Sequence, residues 1–152
     1  VVFPLLAWPV FGMVFLGNLI ANGIRNVWTY TVIFCGHFTT DVHTFPKSVV
    51  KNETRAQWYL RQIMGSSNLT GSKLLHIMTG NLSHQIEHHL FPDVPANRYA
   101  EMAPVVRDIC RRYGIHYNTG SMVGQFSQVI WRILRHSFPS QPSVPSGELQ
   151  TR

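Results

Sequence analysis

The segment 81–92, Asn-Leu-Ser-His-Gln-Ile-Glu-His-His-Leu-Phe-Pro, concentrates side chains that bind metals, with three histidines, a glutamine and a glutamate within six consecutive positions. On an α-helix, Gln85, His88 and His89 share one face because they stand at i, i+3 and i+4, and His84 lies at its edge. Neutral imidazole nitrogens are good ligands for iron and zinc. Side chains grouped in this way lose solvation and repel one another when they are protonated, and the grouping brings no packing benefit. The cluster therefore predicts a metal site.

The composition indicates a membrane environment. Of the 152 residues, 45% are hydrophobic and 13% are charged, against about 25% charged in ordinary soluble domains. The net charge of +6 indicates an anionic partner, either nucleic acid or a membrane surface. The segment 1–21 carries no charge and is long enough to cross a hydrocarbon core of about 30 Å. We therefore expect a lipid bilayer as the partner and no nucleic acid.

A second apolar stretch at 27–37 predicts that one helix runs from about Pro9 to His37, with His37 just outside the membrane. The segment that follows is rich in lysine and arginine, which places it in the cytoplasm by the positive-inside rule. Because the chain starts within an apolar run and without Met, we expect it to be a piece of a longer protein.

The remainder predicts further helices. One runs from about Glu53, capped by Asn52, to Met64, and another runs from about Ser72 through the histidine cluster to Leu90, with Gly80 marking a break or a close approach of two backbones. A two-part helix follows, with Pro104 to Tyr113 as its later half, and an amphipathic helix spans Met122 to Phe138. The last fourteen residues contain three prolines and three serines and are expected to be disordered.

Two other metal chemistries compete for the cluster. His84-Gln85-Ile86-Glu87-His88 reads as H-x-x-E-H, in which two histidines bind zinc and the glutamate is the base of a hydrolase. This site needs a third ligand, for which Asp93, Glu101, Asp108 and Glu148 are the downstream candidates, and it leaves His89 and His37 without a role. A carboxylate-bridged di-iron protein needs a Glu-x-x-His pair, which the sequence lacks. A histidine-rich iron centre at the membrane surface remains.

The run from Gln85 to Pro92 resembles the third histidine box of membrane fatty-acid desaturases, in the variant that has Gln at its first position. The similarity continues through Asn97-Arg98-Tyr99 and 103–106 to Gly114-Ile115, and is strongest to bacterial acyl-CoA desaturases. The resemblance implies the C-terminal part of an all-α, integral-membrane desaturase domain over 1–138. Residues 1–37 would form its membrane helix region, 38–138 a cytosolic helical cap, and 139–152 a disordered tail.

The resemblance also implies the iron ligands. His88 and His89 match the box residue by residue, His37 matches a ligand at the cytosolic end of a membrane helix, Gln85 would act through a water molecule, and His84 would be a helper. His43, His76, His116 and His136 are expected not to be ligands. The resemblance places the family's first two boxes, of the H-x-x-x-H and H-x-x-H-H kind, outside this chain, so the chain is expected to be inactive without the rest of the desaturase.

The whole enzyme would use two irons and O2 to remove two hydrogens from adjacent carbons of a fatty acyl substrate, carried on CoA or a lipid. Its electrons would come from NAD(P)H through a reductase or a small electron carrier. A fatty acyl hydroxylase of the same fold, an H-x-x-E-H zinc hydrolase and a non-catalytic membrane module are the alternatives.

Overall fold

A computed structural model describes residues 2–138, which are mostly α-helical, as predicted. The elements in chain order are α1 (Val2–Leu6), α2 (Phe11–His37), α3 (Lys47–Lys51), α4 (Arg55–Met64), β1 (Asn68–Thr70), α5 (Lys73–Met78), α6 (Gln85–Leu90), a 3-10 turn (Ala96–Arg98), α7 (Tyr99–Arg112), β2 (Thr119–Ser121) and α8 (Met122–Ser137). The sequence did not predict the two three-residue strands, which pair in parallel. The predicted tail lies outside the described residues.

The long helix α2 matches its predicted bounds to within two residues. The apolar segment before it is not continuous with it, because a turn separates α1 from α2 around Pro9, where the missing N–H and the bulk of the ring disfavour a continuous helix. Most apolar side chains of α2 are exposed, and its buried residues, Val32, Cys35 and Gly36, lie near its C-terminal end. Within residues 2–138, no helix combines the length and apolar character needed to cross a membrane.

The cap of α4 differs from the prediction. Thr54 caps this helix and Asn52 does not, because the Thr54 hydroxyl accepts from the Gln57 N–H at 3.3 Å. The Gln57 side chain accepts in return from the Thr54 N–H at 2.7 Å. This reciprocal capping box satisfies two backbone donors that the helix leaves unpaired, so the helix begins at Arg55.

The predicted helix from Ser72 to Leu90 is wrong as a continuous element. It is broken into α5 and α6 by a turn in which Gly80 and Asn81 both have a φ of 62°. This left-handed conformation costs little at glycine but ends a right-handed helix. Gly80 therefore marks a break, and His84 precedes α6 instead of lying within it.

The prediction of a two-part helix whose later half begins at Pro104 is also wrong, since α7 runs without interruption through Pro104. Proline removes one backbone hydrogen bond there, while the packing of the buried face of α7, including Val106 and Cys110, favours a continuous helix.

The core surrounds α6. Ile86 and Leu90 of α6 pack against Ile63 of α4 and against Val106 and Cys110 of α7. On the other side, β1 pairs with β2 in the register Asn68 to Thr119, and both α2 and α6 contact β1. The fold thus holds one short helix, which carries the histidine pair, against α4, α7 and β1.

The Gly80 turn yields a test of the fold. We expect Gly80→Ala to lower the free energy of unfolding by about 1–2 kcal/mol, because an alanine pays the cost of the left-handed conformation. A Cβ at Gly80 or at Gly12 meets no atom within 4 Å, so neither substitution causes a clash. Gly12→Ala, in the right-handed α2, is the control and should stabilise by about 0.5–1 kcal/mol. Chemical unfolding of the full-length protein measures both, and equal effects would contradict the assignment.

Candidate metal centre

Side chains from two distant elements meet at the end of α2. His37 Nε2 and His89 Nε2 lie 3.4 Å apart, and Gln85 Nε2 lies 3.1 Å from each of them. Three of the predicted ligands, separated by up to 52 positions in the chain, are therefore brought to one point. We call these three side chains the His37 cluster.

A glycine permits this approach. A Cβ added to Gly36 would lie 3.0 Å from Gln85 Cγ, which is tighter than ordinary van der Waals contact. A larger residue at position 36 would force the Gln85 side chain to shift. The Gly36 carbonyl also accepts from the Ser67 N–H at 2.9 Å, which ties the same point of α2 to the segment before β1.

The electrostatics of the cluster keep one imidazole neutral. Burial, and after it the interactions with His37, His88 and Arg61, lower the pKa of His89 to about 4. At neutral pH the His89 ring is therefore uncharged. A neutral imidazole has a free nitrogen lone pair, which is the form that binds a metal.

A cavity of about 240 Å³ opens beside the cluster. Its wall contains His37 and His89 together with His43, Phe45, Val50, Arg61, Gln62, Gly65 and Ser66. His43, predicted not to be a ligand, reaches this wall because its backbone N–H donates to the Met64 carbonyl at 2.9 Å. Arg61 is held by two hydrogen bonds to Glu53, of 2.6 and 2.7 Å. The spacing of these residues in the sequence contains no signal for this arrangement.

His88 points to a different partner. Its Nδ1 lies 3.2 Å from the Tyr99 hydroxyl, and its ring centroid lies 5.6 Å from that of His89. Tyr99 is 2% exposed, and burial, followed by the charge of Asp93, raises the pKa of its hydroxyl. Sequence reasoning assigned Tyr99 no role at the site, although the Asn97-Arg98-Tyr99 motif was a signal that pointed to it.

His84 makes its contacts elsewhere. Its ring stacks on that of His76 with centroids 4.7 Å apart, and its Nδ1 lies 4.0 Å from Glu87 Oε2. His76 in turn has its Nδ1 2.7 Å from the Ser83 hydroxyl. These contacts place His84 against His76 and Glu87, whereas His37, Gln85 and His89 contact one another.

Among residues 2–138, those of the H-x-x-E-H alternative are not placed to hold a metal ion. Glu148, a further candidate third ligand, lies outside the described residues. Glu87 has no exposed surface, and two of the candidate third ligands are in ion pairs, Glu101 with Arg98 and Asp108 with Arg111 and Arg112. Over residues 2–138, no group of three or more His, Cys, Asp or Glu side chains is placed to hold a metal ion. The His37 cluster has two histidines, and its third member is an amide.

Comparison with known proteins gives the family. The family model for fatty acid desaturases matches residues 1–121. The NADPH-dependent stearoyl-CoA 9-desaturase of Mycobacterium tuberculosis is 48% identical over 117 residues, which cover 77% of this chain and 27% of that protein. The putative fatty acid desaturase 2-like protein FADS2B of Homo sapiens is 30% identical over 132 residues, which cover 87% of this chain and 25% of that protein.

No solved structure matches the chain. The chain spans about a quarter of the length of the curated relatives it matches. The matched region nevertheless contains α1 to α7, both strands and every residue of the His37 cluster. The chain therefore belongs to the fatty acid desaturase family.

Proposed function

We propose that the full-length enzyme containing this chain desaturates a fatty acyl group in an O2-dependent reaction, at an iron centre held by histidines. The observation that carries the proposal is the convergence of His37, Gln85 and His89 within 3.4 Å in a member of the desaturase family. The similarity to a protein named as an NADPH-dependent stearoyl-CoA 9-desaturase supports a fatty acyl-CoA as substrate. An acyl chain carried on a lipid is the alternative substrate. The similarity also supports NADPH as the electron source, through a reductase or electron carrier.

The geometry of the cluster fits a metal. Metal–nitrogen bonds of about 2.1 Å place neighbouring ligand atoms about 3.0–3.4 Å apart around one ion, and His37 Nε2 and His89 Nε2 are 3.4 Å apart. The Gln85 amide lies within hydrogen-bonding distance of both ring nitrogens. Its oxygen and nitrogen exchange places by rotation about the terminal bond, so Gln85 can present an oxygen to a metal or hold a water ligand.

Tyr99 prepares His88 for the same chemistry. When His88 Nδ1–H donates to the Tyr99 oxygen, the Nε2 lone pair is left free for a metal. Ligating histidines commonly use their second ring nitrogen in this way, which fixes both tautomer and ring orientation. We assign His88 to a metal position next to the one held by His37 and His89, and the remaining ligands of a two-iron centre to other parts of the enzyme.

The bound irons would supply the O2 chemistry that removes two hydrogens from adjacent carbons. The fold of this chain would orient the ligand side chains, keep the imidazole rings neutral and direct their nitrogen lone pairs toward the metals. Glu87 does not fit as the base of a zinc hydrolase, because its carboxylate is fully buried and hydrogen-bonded to Asn68 and Tyr117.

The exposed apolar surface of α1 and α2 supports a membrane location. Large apolar side chains are exposed along both helices and in the turn between them, among them Phe3, Leu6, Trp8, Met13, Leu16, Leu19, Ile24 and Val27. Contiguous apolar surface of this extent marks contact with lipid or protein, and the desaturase family is generally membrane-bound. We propose an integral-membrane enzyme whose metal centre lies on the cytoplasmic side, at the end of α2.

The ligand assignment predicts the metal content of variants. In the full-length enzyme purified in detergent, His37→Ala, His88→Ala and His89→Ala should each lose iron, because each removes a ligand nitrogen. The matched control is His116→Ala, at an exposed position, which should keep the wild-type iron content. Elemental analysis measures all four. Zinc that is lost with His88→Ala but kept with His89→Ala would instead support the hydrolase.

The reaction is tested by its product. Supplied with stearoyl-CoA, O2, NADPH and a reductase, the wild-type enzyme should return an acyl chain that has lost two hydrogens and gained no oxygen, as mass spectrometry can show. A hydroxylated chain would identify the enzyme as a fatty acyl hydroxylase and would refute desaturation.

The lowered pKa of His89 predicts a pH dependence of stability. The folded pKa of about 4 lies below the ordinary value of 6.5, so between these values the unfolded chain binds more protons than the folded one. The contribution of His89 to stability is therefore present above about pH 6.5 and is lost as the pH falls toward 4. In the metal-free enzyme, His89→Asn should reduce the fall in thermal midpoint across this window. An identical pH profile for the wild type and the variant would refute it.

A further inference from the structure

The carboxylate of Glu87 is fully buried on the side of α6 opposite to the ligands. At about 100° per residue, Glu87 points away from the face shared by Gln85, His88 and His89. Burying a carboxylate is costly unless its oxygens receive hydrogen bonds. Glu87 Oε2 accepts from Asn68 Nδ2 at 2.7 Å, and Glu87 Oε1 accepts from the Tyr117 hydroxyl at 2.8 Å.

The three residues close into one network. Asn68 Nδ2 also donates to the Tyr117 oxygen, so Asn68, Glu87 and Tyr117 contact one another pairwise. We call them the Glu87 network. They come from β1, from α6 and from the segment before β2. The Asn68 N–H donates to the Asn118 carbonyl at 3.0 Å. This hydrogen bond holds β1 beside the segment that precedes β2.

The network also supplies the missing cap of α6. A helix of six residues is not stable by itself in water, and His84 at its N-cap position makes no side-chain capping bond. Asn68 Oδ1 accepts instead from the Ile86 N–H at 2.8 Å. One amide side chain thus binds both the start of α6 and the Glu87 carboxylate.

The electrostatics keep the network in this form. Burial raises the pKa of the Tyr117 hydroxyl, and the charge of Glu87 and its hydrogen bond raise it further. Tyr117 therefore remains a donor to Glu87. The Arg107 guanidinium lies 5.1 Å from the centre of the Tyr117 ring, and its charge lowers the pKa of Tyr117 by less than burial and Glu87 raise it.

From this geometry we infer that Asn68, Glu87 and Tyr117 are positioning residues, which set the rotation and axial position of α6 and so aim His88 and His89 at the metals. The inference rests on the proposed function. Apolar contacts alone permit small rotations of a short helix, whereas directional hydrogen bonds at two points of α6 select one orientation. The members of the network form hydrogen bonds with one another and with the Ile86 N–H, and none of them lines the cavity beside the His37 cluster. The network therefore acts through the helix.

The test measures iron affinity in the full-length enzyme by competition with a chelator. Tyr117→Phe and Glu87→Gln should each weaken iron binding about tenfold to a hundredfold, as expected for residues that orient ligands. Because both variants break the same network, the double variant should bind iron no more weakly than the worse single variant. Tyr113→Phe, four positions away and 76% exposed, is the matched control and should bind iron as the wild type does.

Thermal unfolding of the metal-free forms separates positioning from general stabilisation. The inference is overturned if Tyr117→Phe lowers the midpoint but keeps wild-type iron affinity, or if the losses of the two single variants multiply in the double variant. Should Glu87→Gln fail to fold, the more conservative Tyr117→Phe decides the matter. A wild-type enzyme without iron would overturn the proposed function and this inference with it, whereas iron in the wild type and unchanged affinity in Tyr117→Phe would overturn this inference alone.

Discussion

The close packing of α2 against α6 is the constraint on which the candidate centre depends. His37 is the last residue of α2, and it reaches Gln85 and His89 because Gly36 has no side chain to hold the helices apart. A shift of one ångström would already separate ring nitrogens that now lie as far apart as two ligands of one ion. The geometry of the His37 cluster therefore depends on the packing and hydrogen bonds that hold both helices in place.

Two kinds of interaction fix α6. Ile86 and Leu90 bury apolar surface against α4 and α7, which supplies most of the favourable free energy but little orientation. Hydrogen bonds to Asn68 and Tyr117 supply direction, since they require particular atoms to face one another. The short parallel pair of β1 and β2 serves this arrangement, because it brings residues about fifty positions apart in the chain to the same end of α6.

The incomplete ligand set agrees with the extent of the family match. Two imidazoles and an amide at one point, with His88 beside them, cannot surround two irons. The chain spans about a quarter of the length of its curated relatives, and the resemblance implies two further histidine boxes beyond the match at 85–92. On the proposed function, other segments of the enzyme supply the remaining ligands and contact part of the apolar surface of α1 and α2.

Local patterns in the sequence were enough to predict several features. The run from Gln85 to Pro92 led to the family, the periodicity at 122–138 predicted α8, and the apolar stretch predicted α2 to within two residues. These signals lie within a few turns of one helix, where spacing alone decides which side chains share a face. The predicted helix from Ser72 to Leu90 was wrong because one pair of left-handed residues, Gly80 and Asn81, outweighed the helical pattern around it.

Contacts between distant segments decided the rest. The sequence suggested His37 through a resemblance, but its 3.4 Å approach to His89 depends on how α2 packs on α6. Four further features have no periodic pattern in the sequence that would predict them. They are the burial of Glu87, the cap that Asn68 provides, the placement of His43 in the cavity wall and the pairing of His88 with Tyr99. Sequence spacing encodes which neighbours share a helix face, whereas the orientation of α6 is set by hydrogen bonds and packing from residues that only the tertiary fold brings together.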